Sequence, residues 1–212
     1  MSRALAESKI EEYSYMSALF ASRSAKTLAA TAVLGAALSL TLAACGHPTA
    51  AVSAAQPQNA KVSLTILAQK PGSSIEGPAY SPNTDITVPA NAVVTVTIVN
   101  ADPGDTNLPA NSPFAQVKGV VNNTAYVDGV PYSSLDVTKV AHTFTIAGLG
   151  VSVPIPGDAP AGHNDITVTF SFKTGAAGTF QWQCVDPCGS GASGWEGPMA
   201  TPGYMIGKVT VN

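Results

Sequence analysis

The chain has 212 residues and a formal net charge of −3, and only 11% of its residues are charged. This length suits one domain of ordinary size with additional segments, or at most two small domains. The mildly acidic balance lacks the basic patch that nucleic-acid binding requires, so no nucleic-acid partner is expected. The 19 glycines and 16 prolines, with valine, isoleucine and threonine in alternating runs, are typical of a turn-rich β-protein.

The N-terminal part has the pattern of a secretory signal. Arg23 and Lys26 form a basic region, and residues 28–42 form an apolar run that is short for a membrane span. The run closes on the tetrapeptide LAAC ending at Cys45, which resembles a bacterial lipobox. The resemblance implies cleavage and lipid attachment at Cys45, and the alternative is an ordinary apolar helix with a coincidental cysteine. We therefore expect an exported protein, anchored to the outer face of the cell membrane by a lipid on Cys45.

The sequence divides into four segments around this signal. Residues 1–15 precede the basic region and do not fit a signal peptide, so we expect the true start at Met16, with residues 1–15 an upstream extension. Residues 16–45 are then the lipoprotein signal peptide. Residues 46–60 have no periodicity and are rich in Ala, Pro and Gln, which indicates a flexible linker. Residues 61–212 form the predicted domain.

Alternating apolar and polar residues predict the strands of this domain. After Cys45 no amphipathic helix of convincing length is found, so the pattern favours an all-β sandwich or barrel. The predicted strands are Lys61–Leu67, Ile86–Val88, Val93–Val99, Val140–Ile146, Val151–Pro156, Ile166–Phe172, Thr179–Cys184 and Met205–Val211.

Residues 101–139 have little period, and prolines and glycines interrupt them every few positions. A connection of this length without its own structure is uncommon in a compact domain. We therefore expect an ordered excursion packed by Phe114, Tyr126 and Tyr132, with short strands around residues 116–121.

Four sulfur-bearing side chains lie in the last part of the chain. Cys184 and Cys188 stand at the end of a predicted strand and just past it, while Met199 and Met205 bound the far side of a glycine-rich loop. The candidate partner is His142, on the predicted strand Val140–Ile146. Soft sulfur ligands and an imidazole are the donors that copper sites use. His163 lies in a polar turn and is expected at the surface.

Four segments together resemble the cupredoxin family and stand in that family's order. They are ITVPANAVVTVTIVN at residues 86–100, HTF from His142, GTFQWQC ending at Cys184, and MIGKVTV from Met205. The resemblance implies a Greek-key β-sandwich of the cupredoxin type with a copper ion near one end, serving electron transfer. It also implies that His142 is the first imidazole ligand, Cys184 the thiolate and Met205 the methionine.

The chain departs from the family where the second histidine is expected, a few residues after the cysteine. Cys188 stands there instead, and the C-x3-C-G pattern resembles the dinuclear copper centre of cytochrome oxidase subunit II. The His and Met that follow shortly in that centre are missing from residues 190–195. Four interpretations remain: a mononuclear copper site of His142, Cys184, Met205 and either Cys188 or Met199; a modified dinuclear centre; a Cys184–Cys188 disulfide without copper; or zinc.

Three functions follow from these interpretations. The first is a membrane-tethered electron carrier with a redox partner protein of unknown identity. The second is a copper(I) binding or delivery module, and the third is a metal-free interaction domain. The sequence has no Gly-x-Ser-x-Gly or His-Glu-x-x-His motif, so we do not expect an enzyme. We expect a monomer.

Overall fold

The computed structural model describes residues 58–104, 106, 108–157 and 165–212. The predicted extension 1–15, signal peptide 16–45 with its lipid site Cys45, and His163 lie outside this described part, as does most of the predicted linker. In the described part, no helix is long and apolar enough to span a membrane. Its helical turns are three-residue 3-10 helices.

The described residues form eleven strands in two sheets. The first sheet has the order β2-β1-β4-β9-β5-β6 and the second the order β3-β11-β10-β7-β8. The strands are β1 Asn59–Leu67, β2 Ala79–Ser81, β3 Asp85–Val88, β4 Val93–Asn100, β5 Ala125–Val127, β6 Val130–Tyr132, β7 Val140–Ile146, β8 Val151–Pro156, β9 Ile166–Lys173, β10 Gly178–Gln183 and β11 Ile206–Val211.

Two strand pairs are parallel, and each joins an early strand to a later one. In the first sheet β1 runs parallel to β4, and in the second β3 runs parallel to β11. The other strand pairings are antiparallel. The predicted all-β Greek-key sandwich of the cupredoxin type is confirmed.

The core lies between the two sheets and follows from the alternation in the sequence. On β4, Val94, Val96 and Ile98 are buried at every second position, and Val96 pairs with the buried Phe170 of β9. From the second sheet, Phe144 packs against Phe170 with ring centroids 5.7 Å apart. Each such side chain stabilises the fold by about 1.5–3 kcal/mol through burial.

The sequence placed the long strands well and missed the short ones. Val140–Ile146 and Val151–Pro156 are confirmed, and the other predicted strands differ by one or two residues at their ends. β1 begins at Asn59, inside the predicted linker, because its first residues pair with the start of β4. β2, β5 and β6 were not predicted. The strands expected around residues 116–121 are wrong, since that segment forms only isolated bridges.

Parts of residues 108–139 pack as an ordered layer against β7 and β8 of the second sheet, while β5 and β6 within this segment belong to the first sheet. Phe114 and Ala115 are buried there together with Val140 and Val185, and the Lys118 amide donates to the Ser152 carbonyl oxygen at 2.8 Å. The expected roles of Phe114 and Tyr132 agree with this packing, because the Tyr132 hydroxyl donates to the Pro154 carbonyl oxygen at 2.7 Å. The role expected for Tyr126 is wrong, since this side chain is 43% exposed on the hairpin of β5 and β6. The layer buries β7 on both faces.

Candidate metal centre

His142 lies on β7, in which every residue is buried. Its ring is 1% exposed, and its Nε2 atom lies 3.1 Å from Oδ2 of Asp102. Asp102 is itself held in a turn just past β4, where its amide donates to Oδ1 of Asn100 at 3.1 Å and its Oδ1 accepts from the Gly104 amide at 3.2 Å. The carboxylate therefore fixes the orientation of the imidazole.

The second ring nitrogen of His142 points into a buried space without a hydrogen-bond partner. Nδ1 has no partner among the described residues, although it is inaccessible to solvent. A buried polar atom of this kind is costly to the fold unless something binds it. Histidine ligands of metals commonly donate their other ring N–H to a carboxylate, which is the arrangement of His142 and Asp102.

Cys184 follows β10 directly and is 1% exposed. Its amide donates to the Met205 carbonyl oxygen at 2.8 Å, and its Sγ accepts a hydrogen bond from the Thr143 amide at 3.3 Å. The Thr143 hydroxyl oxygen accepts from the Val185 amide at 2.8 Å. Cys184 is thus bonded to both neighbouring strands, and the Thr143 N–H can stabilise negative charge on its sulfur.

Cys188 brings a second sulfur to the first. Its Sγ lies 3.4 Å from Sγ of Cys184 and 3.3 Å from Sδ of Met199. Both cysteines are free thiols, and their separation exceeds the roughly 2.05 Å of a disulfide. Met199 reaches this position because Gly189 has no side chain: a Cβ at residue 189 would lie 2.6 Å from Cγ of Met199.

The structure brings three of the five predicted ligands into one group. The ligand atoms of His142, Cys184 and Cys188 all lie within 4.8 Å of one another, and Met199 contacts this group through Cys188. Met205 is fully buried immediately before β11, and its backbone is bonded to Cys184.

The pKa values of the group reflect its mutual contacts. Burial opposes the charged form of His142, but the Asp102 carboxylate and the Cys184 sulfur outweigh it and raise the pKa of His142 to about 9. Burial likewise acts against a thiolate at Cys184, yet contacts with Cys188 and His142 lower its pKa well below the usual value. The contact with Cys184, followed by burial, raises the pKa of Cys188 well above the usual value. These directions favour negative charge on Cys184, whose sulfur also accepts the Thr143 amide, over negative charge on Cys188.

This donor set fits a soft metal ion. Thiolates and thioethers select copper(I), zinc and related ions, and imidazole suits copper and zinc. Two sulfur atoms 3.4 Å apart can both reach one ion through metal–sulfur bonds of about 2.3 Å. An ion in this group would take the place of the protons on Nδ1 of His142 and on Cys188.

The sequence analysis did not single out Asp102. The available signal was its place shortly after the predicted strand Val93–Val99, in the turn NADPG. Polar residues where a strand ends meet side chains from other strands at the same end of a sandwich. Asp102 pairs with His142 because of the backbone path of residues 101–104, and the alternation of apolar and polar residues does not predict that path.

The fold and the site place this chain in one class of proteins. The class is a cupredoxin-type sandwich in which a buried histidine, two cysteines and a methionine form one cluster. Among solved structures, the chain is similar to auracyanin B, with 16% identity over 74% of this chain and 91% of that chain and a TM-score of 0.35. It is also similar to rusticyanin from Thiobacillus ferrooxidans, with 14% identity, coverage of 72% and 77%, and a TM-score of 0.31. A blue copper oxidase from Nitrosomonas europaea gives 12% identity, coverage of 71% and 43%, and a TM-score of 0.37.

No family model and no curated protein sequence matches the chain. With identities and TM-scores this low, the likenesses to solved structures carry no weight for function. The class is defined by the sheet topology and by the ligand positions given above.

Proposed function

We propose that the protein binds one copper ion through His142, Cys184 and Cys188, with a thioether as a weaker ligand, and transfers single electrons. Bound copper would supply one-electron redox chemistry by cycling between its cuprous and cupric states. The observation that carries the proposal is the buried, unpartnered Nδ1 of His142 next to two free thiols.

The residues around the group hold the ligands in place. Asp102 fixes the ring of His142 through Nε2, and the Thr143 amide donates to the Cys184 sulfur. Burial of β7 on both faces leaves His142 little freedom to move. Ligands that keep their positions between two oxidation states suit electron transfer, because little reorganisation accompanies each electron.

Burial also bears on the choice between a carrier and an enzyme. His142 and Cys184 are 1% exposed and Cys188 is 9% exposed, so a substrate molecule has little access to an ion held among them. Catalytic metal sites keep a position open to water or substrate, whereas an electron needs no such opening. This favours a protein that is not itself an enzyme.

The test is to load the reduced, folded protein with copper(II) and record its visible spectrum. An intense thiolate-to-copper absorption is expected, and it should be lost in Cys184→Ala. If the folded, reduced wild-type protein lacks this absorption after copper loading, the electron-transfer proposal is contradicted.

The contact between Cys188 and Met199 favours a second candidate, a copper(I) binding or delivery module. Sulfur ligands in this number select the cuprous ion, so the metal could be held without redox cycling. Tight copper(I) binding that persists in Cys184→Ala, measured by competition with a copper(I) chelator, would favour this candidate over the first.

We further propose that the protein acts outside the cytoplasm as a monomer, anchored by a lipid on Cys45, and exchanges electrons with a redox partner protein. The LAAC sequence and the apolar run before it support the anchor. Incorporation of labelled fatty acid into the wild-type chain, and its absence in Cys45→Ala, is the expected result. Equal labelling of both chains would contradict the anchor.

A further inference from the structure

The connection between β1 and β2 contacts the end of the loop between β10 and β11, which carries both methionines. We call residues 197–205 the methionine arm. Lys70 Nζ donates to the Gly203 carbonyl oxygen at 3.0 Å and lies 4.5 Å from the centroid of the Tyr204 ring. Ser73 Oγ forms a hydrogen bond with the Tyr204 hydroxyl. A cation–π contact, a charged hydrogen bond and a hydroxyl bond thus converge on two successive residues.

Those contacts act on the residue next to Met205. Tyr204 is only 8% exposed, and its carbonyl oxygen accepts from the Tyr80 amide at 3.1 Å. On the other side, the Met205 carbonyl oxygen accepts from the Cys184 amide at 2.8 Å. The Tyr204–Met205 dipeptide is therefore fixed between the β1–β2 connection and the thiolate ligand.

The beginning of the arm rests on the same connection. A Cβ at Gly77, whose φ is +115°, would lie 2.9 Å from Cγ of Pro198, so the connection packs closely on the residue before Met199. Gly197 and Gly203 both have positive φ, +60° and +86°, and glycines give a chain little conformational preference of its own. The position of the arm must therefore come from its contacts.

We propose that Lys70, Ser73 and Tyr204 form a clasp of positioning residues that sets where the methionine arm holds Met199 and Met205 relative to the two cysteine sulfurs. The inference rests on the proposed metal binding, and it adds that residues other than the ligands determine the strength of the centre. A cation–π contact and a hydrogen bond each contribute a small part of the stability of a fold. Contacts of this size are enough to order a glycine-containing arm without defining the sandwich itself.

The first test uses metal-free protein labelled with methyl-13C methionine. The methyl signals of Met199 and Met205 should shift or broaden in Lys70→Leu and Tyr204→Phe, because the arm loses its outer contacts. Lys70→Arg should restore them, since arginine also donates hydrogen bonds and packs on aromatic rings. Lys61→Leu, at an exposed lysine on β1, is the matched control and should leave both signals unchanged.

The second test measures copper(I) affinity by chelator competition in the same variants. Lys70→Leu and Tyr204→Phe should weaken binding about tenfold, as changes behind metal ligands commonly do, while Lys70→Arg and Lys61→Leu match the wild type. If the wild type binds copper and the clasp variants equal it in affinity and methyl signals, the clasp is overturned and the proposed function stands. If the wild type binds no copper, the proposed function fails and the clasp, as a metal-positioning device, fails with it.

Discussion

The metal group has two halves that are held in different ways. His142 and Cys184 belong to strands or follow them directly. Their hydrogen-bond partners are Asp102, Thr143 of β7 and the Met205 carbonyl oxygen. Cys188 and Met199 lie on a glycine-rich loop whose path depends on contacts with other segments. We call His142 and Cys184 the strand half of the group, and Cys188 and Met199 the loop half.

The two halves should therefore respond differently to mutation. Changes in the strand half remove the centre, because its ligands have no substitute within the group. Changes in the loop half should alter the copper affinity and the visible absorption of the centre without removing it, because the Cys184 sulfur remains. Variants in each half test this difference.

Cys184→Ser should abolish the visible absorption of copper-loaded protein, whereas Cys188→Ser should keep a coloured centre with a shifted band. Cys184 is the group with the lowered pKa and the Thr143 hydrogen bond, so it supplies the main thiolate. Visible spectroscopy of both variants checks this. Complete loss of colour in Cys188→Ser would contradict the division and would favour a centre bridged by both sulfurs.

Gly194→Ala should lower the free energy of unfolding by more than Gly72→Ala does. The two glycines have nearly equal φ, +71° and +73°, but a Cβ at residue 194 would lie 2.1 Å from the Pro187 carbonyl oxygen, while nothing lies within 4 Å at residue 72. The backbone term alone costs about 1–2 kcal/mol, and the collision at Gly194 adds to it. Urea denaturation measures both losses.

Gly72→Ala is the matched control for that experiment, since it carries the backbone term without the collision. Equal losses of unfolding free energy in the two variants would mean that the loop around residue 194 shifts to accept the new side chain without further loss of stability. The loop half would then be less well defined than the close contacts of Gly189 and Gly194 indicate.

Asp102→Ala should weaken copper(I) binding about 10- to 100-fold, the usual loss when the partner of a metal-binding histidine is removed. The ring of His142 would lose the bond at Nε2 that orients Nδ1. Asp136→Ala is the control, because Asp136 also accepts a backbone hydrogen bond in a turn, from the Thr138 amide at 2.9 Å. Equal affinities in wild type and Asp102→Ala would exclude an orienting role for Asp102.

Copper affinity should rise with pH, and the rise should become less steep above about pH 9, where His142 has lost its proton. The pKa of His142 is raised to about 9, so at neutral pH the metal-free protein holds a proton that the metal must displace. Each displaced proton contributes about a tenfold gain in apparent affinity per pH unit. Chelator competition between pH 6 and pH 9, at roughly one-unit steps, measures the slope. In Asp102→Ala the pKa of His142 should fall, because the Asp102 contact helps to raise it, and the change of slope should move to lower pH. An unchanged profile in that variant would contradict the assignment.

The sequence predicted the strand half much better than the loop half. Alternation over residues 140–146 and 179–184 located β7 to the residue and β10 to within one residue at each end, and with them His142 and Cys184. The short strands β2, β5 and β6 have three residues each, too few to show a period, and were missed. Tyr126 was misplaced because an aromatic residue in an irregular segment gives no sign of which way it faces.

Contacts between distant segments escaped the sequence analysis for a physical reason. Asp102 pairs with His142 forty positions away, and Lys70 bonds to Gly203 across 133 positions. Neither contact leaves a pattern in the neighbouring sequence, because in each case only the fold brings the two distant residues together. The choice between a disulfide and two thiols likewise required the sulfur positions.

The most direct test of the central claim is copper K-edge X-ray absorption of the copper(I)-loaded protein. One ion bound by one nitrogen and at least two sulfur atoms is expected, with no second copper nearby. A shell made mainly of nitrogen and oxygen, or a short copper–copper distance, would contradict the sulfur-rich mononuclear centre proposed for His142, Cys184 and Cys188.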